Sequence, residues 1–220
     1  DVDGRDVIGL YVINEDNTCH LLCTDFDDKN CEYGYQEDVL AFVDVCKSWN
    51  IPYSIERSRS GNGAHVWIIF ETPVLAVKAR RMGNAILTEA MNRNGKIDFK
   101  SYDRFFPNQD TLPEGGLGNL VALPLQGLAR KNGNSVFVNE YFEPYDDQWE
   151  YLLNVVKLSE VAIEEILKRT ANILPLGDLS KTSESRPWEV PMATRLEKSD
   201  FQSEVVVTRS NMLYIPLSQF

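Results

Sequence analysis

The sequence has 220 residues, of which 43% are apolar and 25% are charged. This composition is typical of a globular protein and excludes a disordered or collagen-like chain. No apolar run approaches the 18 residues that a membrane span needs, so we expect no membrane partner. Because the sequence begins at Asp1 and no signal segment follows, we expect a piece of a longer, multidomain, cytoplasmic protein.

The net charge of −11 argues by itself against a nucleic-acid partner. The charge is unevenly distributed, however. Residues 1–50 carry 3 basic and 12 acidic groups, whereas residues 51–131 carry 11 basic and 7 acidic groups. Because the local field steers a polyanion, the middle of the chain is a candidate binding surface, the alternative being solvated surface charge.

Hydrophobic periodicity and turn residues predict an α+β fold in which strands outnumber helices. Strands are predicted over residues 7–13, 20–26, 53–57, 64–70, 99–106, 119–125 and 135–138. Helices are predicted over residues 36–48, 74–92, 146–156 and 159–170. After residue 170 prolines interrupt the pattern, and only residues 204–208 and 212–215 are strand-like. We therefore predict a folded core over residues 1–170 and a C-terminal arm or linker over residues 171–220.

Two carboxylates lie close together at the end of the second predicted strand. Asp25 and Asp27 are two residues apart, so their side chains share one face of the strand. Two unpaired carboxylates on one face repel each other and resist burial, and a hard divalent cation such as Mg²⁺ or Mn²⁺ relieves that repulsion. The alternative is a solvated strand end that runs into an acidic turn.

A glycine-containing turn and a histidine follow the next predicted strand. Ser60, Gly61, Asn62 and Gly63 form the turn, whose backbone N–H groups are suited to hold a phosphate, and Ser60 adds a hydroxyl donor. Beyond the turn, His65 lies on a strand directly beneath such a phosphate. The alternative is a plain hairpin turn with a histidine in the core.

Basic and aromatic residues near this turn are weaker candidates. Arg57 and Arg59 supply positive charge before the turn, and Trp67 shares the strand face of His65. We predict that Arg57, Arg59 and Trp67 contact a template. Further along the chain, we expect Arg130 and Lys131 to lie in a polar loop that suits a polyphosphate; the alternative is a solvated turn.

A third acidic position lies in the aromatic strand predicted over residues 99–106. Asp103 needs a partner there, and a metal shared with Asp25 and Asp27 supplies one; the alternative is a salt bridge to a nearby basic group. Arg104 is not expected to be that partner directly, since neighbours in a strand face opposite ways. Asp110, just beyond the strand, is the fallback for the third acid.

The four cysteines favour a reduced protein without zinc. Three of them, Cys19, Cys23 and Cys46, lie in apolar segments, where free cysteine behaves as a small hydrophobic residue. A zinc site of Cys19, His20, Cys23 and Cys31 is conceivable, but the chain has no CxxC pair. Reduced thiols in a cytoplasmic protein are the simpler interpretation.

Taken together, these motifs resemble the archaeo-eukaryotic primase superfamily. Its pattern is an acidic pair on a strand, a small-residue turn ending in a histidine on a strand, and a later acid; residues 24–27, residues 60–65 and Asp103 match it in order. The segments SRSGNGAHVW, YDRFFPNQD and GNLVALPLQ are most similar to the branch that includes the primase domains of TOTE conflict systems and the CRISPR-associated primase-polymerases. The resemblance covers about residues 6–155.

The resemblance implies an RRM-like catalytic sheet packed against a second α/β unit, with the active site in the cleft between them. It also implies template-dependent transfer of nucleotides on single-stranded DNA by a two-metal mechanism with Mg²⁺ or Mn²⁺. In such an enzyme Asp25, Asp27 and Asp103 hold the ions, and His65 and the turn hold the nucleoside triphosphate.

Two other functions fit parts of the sequence. A metal-dependent glycosyltransferase also uses a strand-end DxD, but it does not require the histidine strand or the third acid. A non-catalytic RRM-like module that binds nucleic acid leaves unexplained why acids lie where the polyanion binds.

Overall fold

The computed structural model describes residues 7–28, 34–94 and 100–171, and the backbone of two short strands near the C-terminus. The contacts divide the chain into two compact units, Asp1–Leu176 and Gly177–Phe220. In the second unit, β8 (Val206–Val207) pairs antiparallel with β9 (Leu213–Tyr214), within the two segments predicted as strand-like. The prediction of a core that ends at residue 170 stays a prediction.

The first unit is built on a five-stranded antiparallel sheet, which confirms the α+β class. Its strands are β2 (Thr18–Asp27), β3 (Ser54–Arg57), β4 (Gly63–Leu75), β5 (Tyr102–Phe106) and β7 (Val136–Val138), in the order β5-β2-β4-β3-β7. The main helices are α1 (Tyr35–Ser48) and α2 (Ala76–Arg93). The chain therefore runs β2-α1-β3-β4-α2-β5, with β7 added at the edge of β3.

The main core lies between one face of this sheet and the two long helices. Phe26 of β2 meets Phe42 of α1 edge to face, with ring centroids 5.8 Å apart. On α2, a Cβ at Gly83 would lie 2.9 Å from side-chain atoms of Leu22 and Phe105, so only glycine allows this close approach. The helices thus cover the face that carries Leu22 and Phe26, and the residues that alternate with them point to the opposite face.

Several smaller elements complete the first unit. They are β1 (Gly9–Tyr11), β6 (Leu120–Ala122), α3 (Gly127–Lys131), α4 (Gln148–Leu153) and α5 (Glu160–Arg169). β1 and β6 pair in a separate two-stranded sheet. α4 and α5 begin after the N-caps Asp147 and Ser159, whose side chains accept backbone N–H hydrogen bonds.

Some predicted element boundaries are wrong for identifiable reasons. β4 continues to Leu75, so Val74 is a buried strand residue that pairs with Cys19, and the helix predicted from residue 74 begins at Ala76. The strands predicted over residues 119–125 and 135–138 are shortened to β6 and β7, and Leu125 and Ser135, which lie outside them, adopt positive φ angles of 64° and 54°. The strand predicted over residues 7–13 shrinks to β1, and the strand predicted from residue 99 begins at Tyr102.

Candidate functional site

Three carboxylates meet on the sheet face opposite the long helices. Asp25 and Asp27 lie at the end of β2 and Asp103 lies on β5, and one oxygen atom from each lies within 4.8 Å of the other two. All three side chains are half-buried. A set of carboxylate oxygens alone suits hard divalent cations such as Mg²⁺ or Mn²⁺, so these residues fit the predicted metal site.

An irregularity in β5 directs Asp103 toward the other two acids. Asp25 pairs with Arg104, and the next residue, Phe26, pairs with Tyr102, so the register shifts by one residue and Asp103 is the extra residue on β5. Such a β-bulge breaks the alternation of side chains and bends the strand. Without it Asp103 would project from the opposite face to Arg104, and therefore away from Asp25.

The same bulge makes the expectation about Arg104 wrong. Strict alternation predicts that Arg104 cannot bond to its neighbour, but its Nε donates to Oδ2 of Asp103 over 2.6 Å. This hydrogen bond and the charge of Asp103 raise the pKa of Arg104 further, with smaller contributions from Asp25 and Asp27. The carboxylate cluster therefore has an arginine beside it as well as room for a metal ion.

Asp110, the fallback for the third acid, lies elsewhere. Its carboxylate accepts a hydrogen bond from Arg80 of α2. Among the described residues, the acids close enough to share an ion are Asp25, Asp27 and Asp103, without Asp110. The geometry thus favours Asp103, and this choice stays a prediction.

His65 lies directly beside the acidic cluster. In the register of the sheet it is opposite Asp25 on one side and Glu56 on the other. Its Nε2 lies 3.4 Å from Oδ1 of Asp25, and its Nδ1 lies 2.9 Å from Oε2 of Glu56. Burial acts to lower the pKa of His65, but the hydrogen bonds to Asp25 and Glu56 outweigh it and raise that pKa to about 10.

Glu56 is a site residue that the sequence analysis missed. It is only 1% exposed, and besides His65 its carboxylate accepts hydrogen bonds from Trp67 Nε1 at 2.9 Å and from Ser135 Oγ at 3.3 Å. A signal was present in the sequence. The strands predicted over residues 53–57 and 64–70 flank the turn and would pair as a hairpin, and the register of that hairpin places Glu56 opposite His65.

The glycine-containing turn lies next to the acidic cluster. Asp27 pairs with Gly63, and a Cβ on Gly63 would lie 2.3 Å from the carbonyl oxygen of Phe26, so the close approach requires glycine. Two of the backbone N–H groups expected to hold a phosphate already donate within the turn, that of Gly61 to Ser58 O and that of Asn62 to Ser60 Oγ. The exposed Ser60 hydroxyl remains accessible to a ligand.

Two of the three predicted template contacts, Arg57 and Trp67, are hydrogen-bonded within the protein. The guanidinium of Arg57 donates to the carbonyl oxygens of Gly133 and Phe142, at 2.8 and 2.6 Å. Trp67 is 4% exposed, and its Nε1 is bonded to Glu56. Trp67 is therefore barely accessible, Arg57 is half-buried and Arg59 is exposed on the turn, and contact of these residues with a template stays a prediction.

Arg130 and Lys131 do not lie in the predicted loop, because they form the last turn of the short helix α3. Both side chains are exposed, and the guanidinium of Arg130 lies 5.9 Å from the ring centroid of Trp149, in cation–π range. The loop after this helix touches the turn, since a Cβ on Gly61 would lie 2.8 Å from Oδ1 of Asn134. The loop that borders the turn therefore follows directly on the helix that carries the two cations.

The described cysteines are buried free thiols. Cys19, Cys23 and Cys46 are inaccessible in the core, and burial raises the pKa of each thiol. Cys31, the fourth residue of the conceivable zinc set, lies outside the described residues.

A comparison with models of protein families finds a match over most of the chain. Residues 1–166 match the model of the TOTE conflict system, Archaeo-Eukaryotic Primase domain. The chain belongs to this family. The resemblance stated from the motifs is therefore confirmed.

A search of curated proteins finds no match. Membership of the primase family indicates an enzyme of the nucleotidyltransferase type, with nucleotides and nucleic acid as substrates. Within the three described ranges of the primase domain, no helix is both long and apolar enough to cross a membrane.

Proposed function

We propose that this domain is a template-dependent primase-polymerase that makes and extends primers on single-stranded DNA from nucleoside triphosphates. The observation that carries the proposal is the convergence of Asp25, Asp27 and Asp103 beside His65. The β2-α1-β3-β4-α2-β5 order, with the sheet order β5-β2-β4-β3, supports the RRM-like assignment of the catalytic sheet.

In this proposal Asp25, Asp27 and Asp103 hold two Mg²⁺ or Mn²⁺ ions. When bound, these ions supply positive charge that activates the attacking 3′-hydroxyl and stabilises the departing pyrophosphate. The three carboxylates fix where that charge lies, and because β2 and β5 are neighbouring strands of one sheet, they hold it in a rigid position.

The residues around the cluster bind the nucleotide. His65, whose Nε2 lies at the cluster, donates a hydrogen bond from that atom to a phosphate oxygen. Ser60 and the exposed side chains of Arg130 and Lys131 add donors at the border of the turn. Positioning and charge neutralisation are the main requirements of phosphoryl transfer, and this arrangement supplies both.

The test is synthesis on a single-stranded DNA template with deoxynucleotides and Mn²⁺ or Mg²⁺, with and without an annealed primer. We expect the wild-type domain to form product and the Asp25→Ala, Asp27→Ala double variant to form none while staying folded by circular dichroism. Product from the folded double variant would refute the site. Template-independent transfer of sugar would instead support a glycosyltransferase, and template binding without synthesis would support a non-catalytic module.

A further inference from the structure

The hydrogen bonds behind His65 point to a residue that fixes its orientation. Glu56 is buried, and its Oε2 lies 2.9 Å from both His65 Nδ1 and Trp67 Nε1. Since the indole N–H only donates, Oε2 acts as an acceptor there. An N–H at Nδ1 of His65 is therefore the form that satisfies this contact, and the opposite ring atom, Nε2, is directed at the carboxylate cluster.

The ring of His65 is also held sterically. The indole ring of Trp67 meets the imidazole edge to face, with centroids 5.8 Å apart and planes at 88°. Trp67 and Glu56 thus restrain the imidazole from two sides, one by packing and the other by a hydrogen bond. Because Trp67 is bonded to the same oxygen, movement of the Glu56 carboxylate would release both rings together.

The other oxygen of Glu56 is fixed by a strained residue. Ser135 has a φ of 54°, which a residue other than glycine adopts only at a cost in free energy. Its Oγ accepts the backbone N–H of Gln126 over 3.1 Å, so its hydroxyl proton is directed to Oε1 of Glu56. The unusual backbone thereby gives the buried carboxylate a third donor.

We infer that Glu56 is a positioning residue: it binds His65 through Nδ1 and thereby aims Nε2 at the phosphates of the incoming nucleotide. This inference rests on the proposed function for the identity of the ligand. A buried carboxylate without these three donors would be strongly unfavourable; two of them lie on β4 and the third is Ser135. The network therefore couples strands β3 and β4 to the segment that carries Ser135.

The experiment combines a spectroscopic and a kinetic measurement on the whole chain. The chain has two histidines, His20 and His65, so the imidazole signals of a ¹⁵N-labelled sample are assigned with a single His20→Asn variant. We expect a downfield, slowly exchanging Nδ1 proton for His65 in the wild type, its loss in Glu56→Ala, and its retention in Glu56→Gln, which keeps an acceptor oxygen. Glu140→Gln, which alters a partly buried glutamate bonded to Tyr53 and Lys47, is the matched control.

In the synthesis assay, Glu56→Ala should raise the KM for the nucleotide about 10- to 100-fold, as removal of outer-shell partners commonly does, with a smaller fall in kcat. Glu56→Gln should restore most of this loss. If Glu56→Ala fails to fold, Glu56→Asp replaces it. The aspartate side chain is one methylene shorter, so its carboxylate should not reach His65 and the Nδ1 resonance should also be lost.

An unchanged Nδ1 resonance in Glu56→Ala would overturn the inference. A lower kcat at unchanged KM in that variant would also overturn it, because a merely structural role produces that result. The resonance needs no substrate. A wild-type domain that makes no product would therefore refute the proposed function and leave the test of Glu56 intact.

Discussion

Nε of Arg104 lies 2.6 Å from Oδ2 of Asp103, the preceding residue in the chain. The contact places a fixed positive charge on one of the three carboxylates that fit a divalent cation. A divalent cation bound there would therefore compete with Arg104 for the charge of Asp103, and this competition would be measurable without any catalysis.

Arg104→Gln should increase the affinity for Mn²⁺ about 3- to 10-fold in the absence of nucleotide. The expected size corresponds to removal of one like charge near the ion at high effective dielectric constant. Titration of Mn²⁺ followed by electron paramagnetic resonance measures the change. Arg81→Gln, on the exposed side of α2, removes the same charge elsewhere and should leave the affinity unchanged; equal effects of the two variants would contradict the argument.

The third acid is tested by a pair of substitutions. Asp103→Asn should abolish synthesis because it removes a carboxylate from the cluster, whereas Asp110→Asn should keep activity within about threefold because its partner is Arg80. Primer extension at saturating Mn²⁺ is the measurement. The reverse result, with Asp110→Asn inactive and Asp103→Asn active, would identify Asp110 as the third acid.

The close approach of the turn to β2 predicts a large effect of one methyl group. Gly63→Ala would place a Cβ 2.3 Å from the carbonyl oxygen of Phe26, so we expect a loss of at least about 2 kcal/mol in the free energy of unfolding. Gly115→Ala is the control: its φ is +68°, but no atom lies within 4 Å, and the cost should be about 1 kcal/mol. Urea unfolding compares the two variants. Equal losses in the free energy of unfolding would show that the contact with the carbonyl oxygen of Phe26 does not determine the cost.

Substitutions of Arg57 and Arg59 should have different effects, one on the stability of the fold and the other on template binding. Arg57→Gln loses two hydrogen bonds to carbonyl oxygens, so the free energy of unfolding should fall by about 1–3 kcal/mol. Arg59→Gln changes an exposed side chain and should instead weaken binding of single-stranded DNA, with a less steep dependence on salt. Fluorescence anisotropy at several salt concentrations, together with urea unfolding, distinguishes these outcomes. If Arg57→Gln weakens DNA binding without loss of stability, its assigned role is wrong.

Local sequence patterns were sufficient for the elements whose side chains keep a regular period. In α1, Val39, Phe42, Val43 and Cys46 recur at helical spacing and are all buried in the structure. Alternation likewise placed Asp25 and Asp27 on one face of β2, whereas their position beside His65 of β4 was implied only by the resemblance to the primase superfamily.

The site features that the sequence analysis missed depend on irregular backbone or on pairing between strands. The contact of Arg104 with Asp103 follows from a bulge, which alternation alone excludes. The contact of Glu56 with His65 depends on hairpin register, and its contact with Ser135 depends on a residue far along the chain. The helical placement of Arg130 and Lys131 escaped prediction because a five-residue helix is too short for a periodic signal.

The extra residue at Asp103 has a consequence for how this domain tolerates insertions and deletions. Deletion of Tyr102 would restore regular pairing with β2, place Asp103 opposite Phe26 and turn the acid to the side occupied by the long helices, even though every side chain of the cluster would still be encoded. Loss of that one codon should thus abolish synthesis as completely as replacement of the aspartate itself, while leaving the strand able to pair.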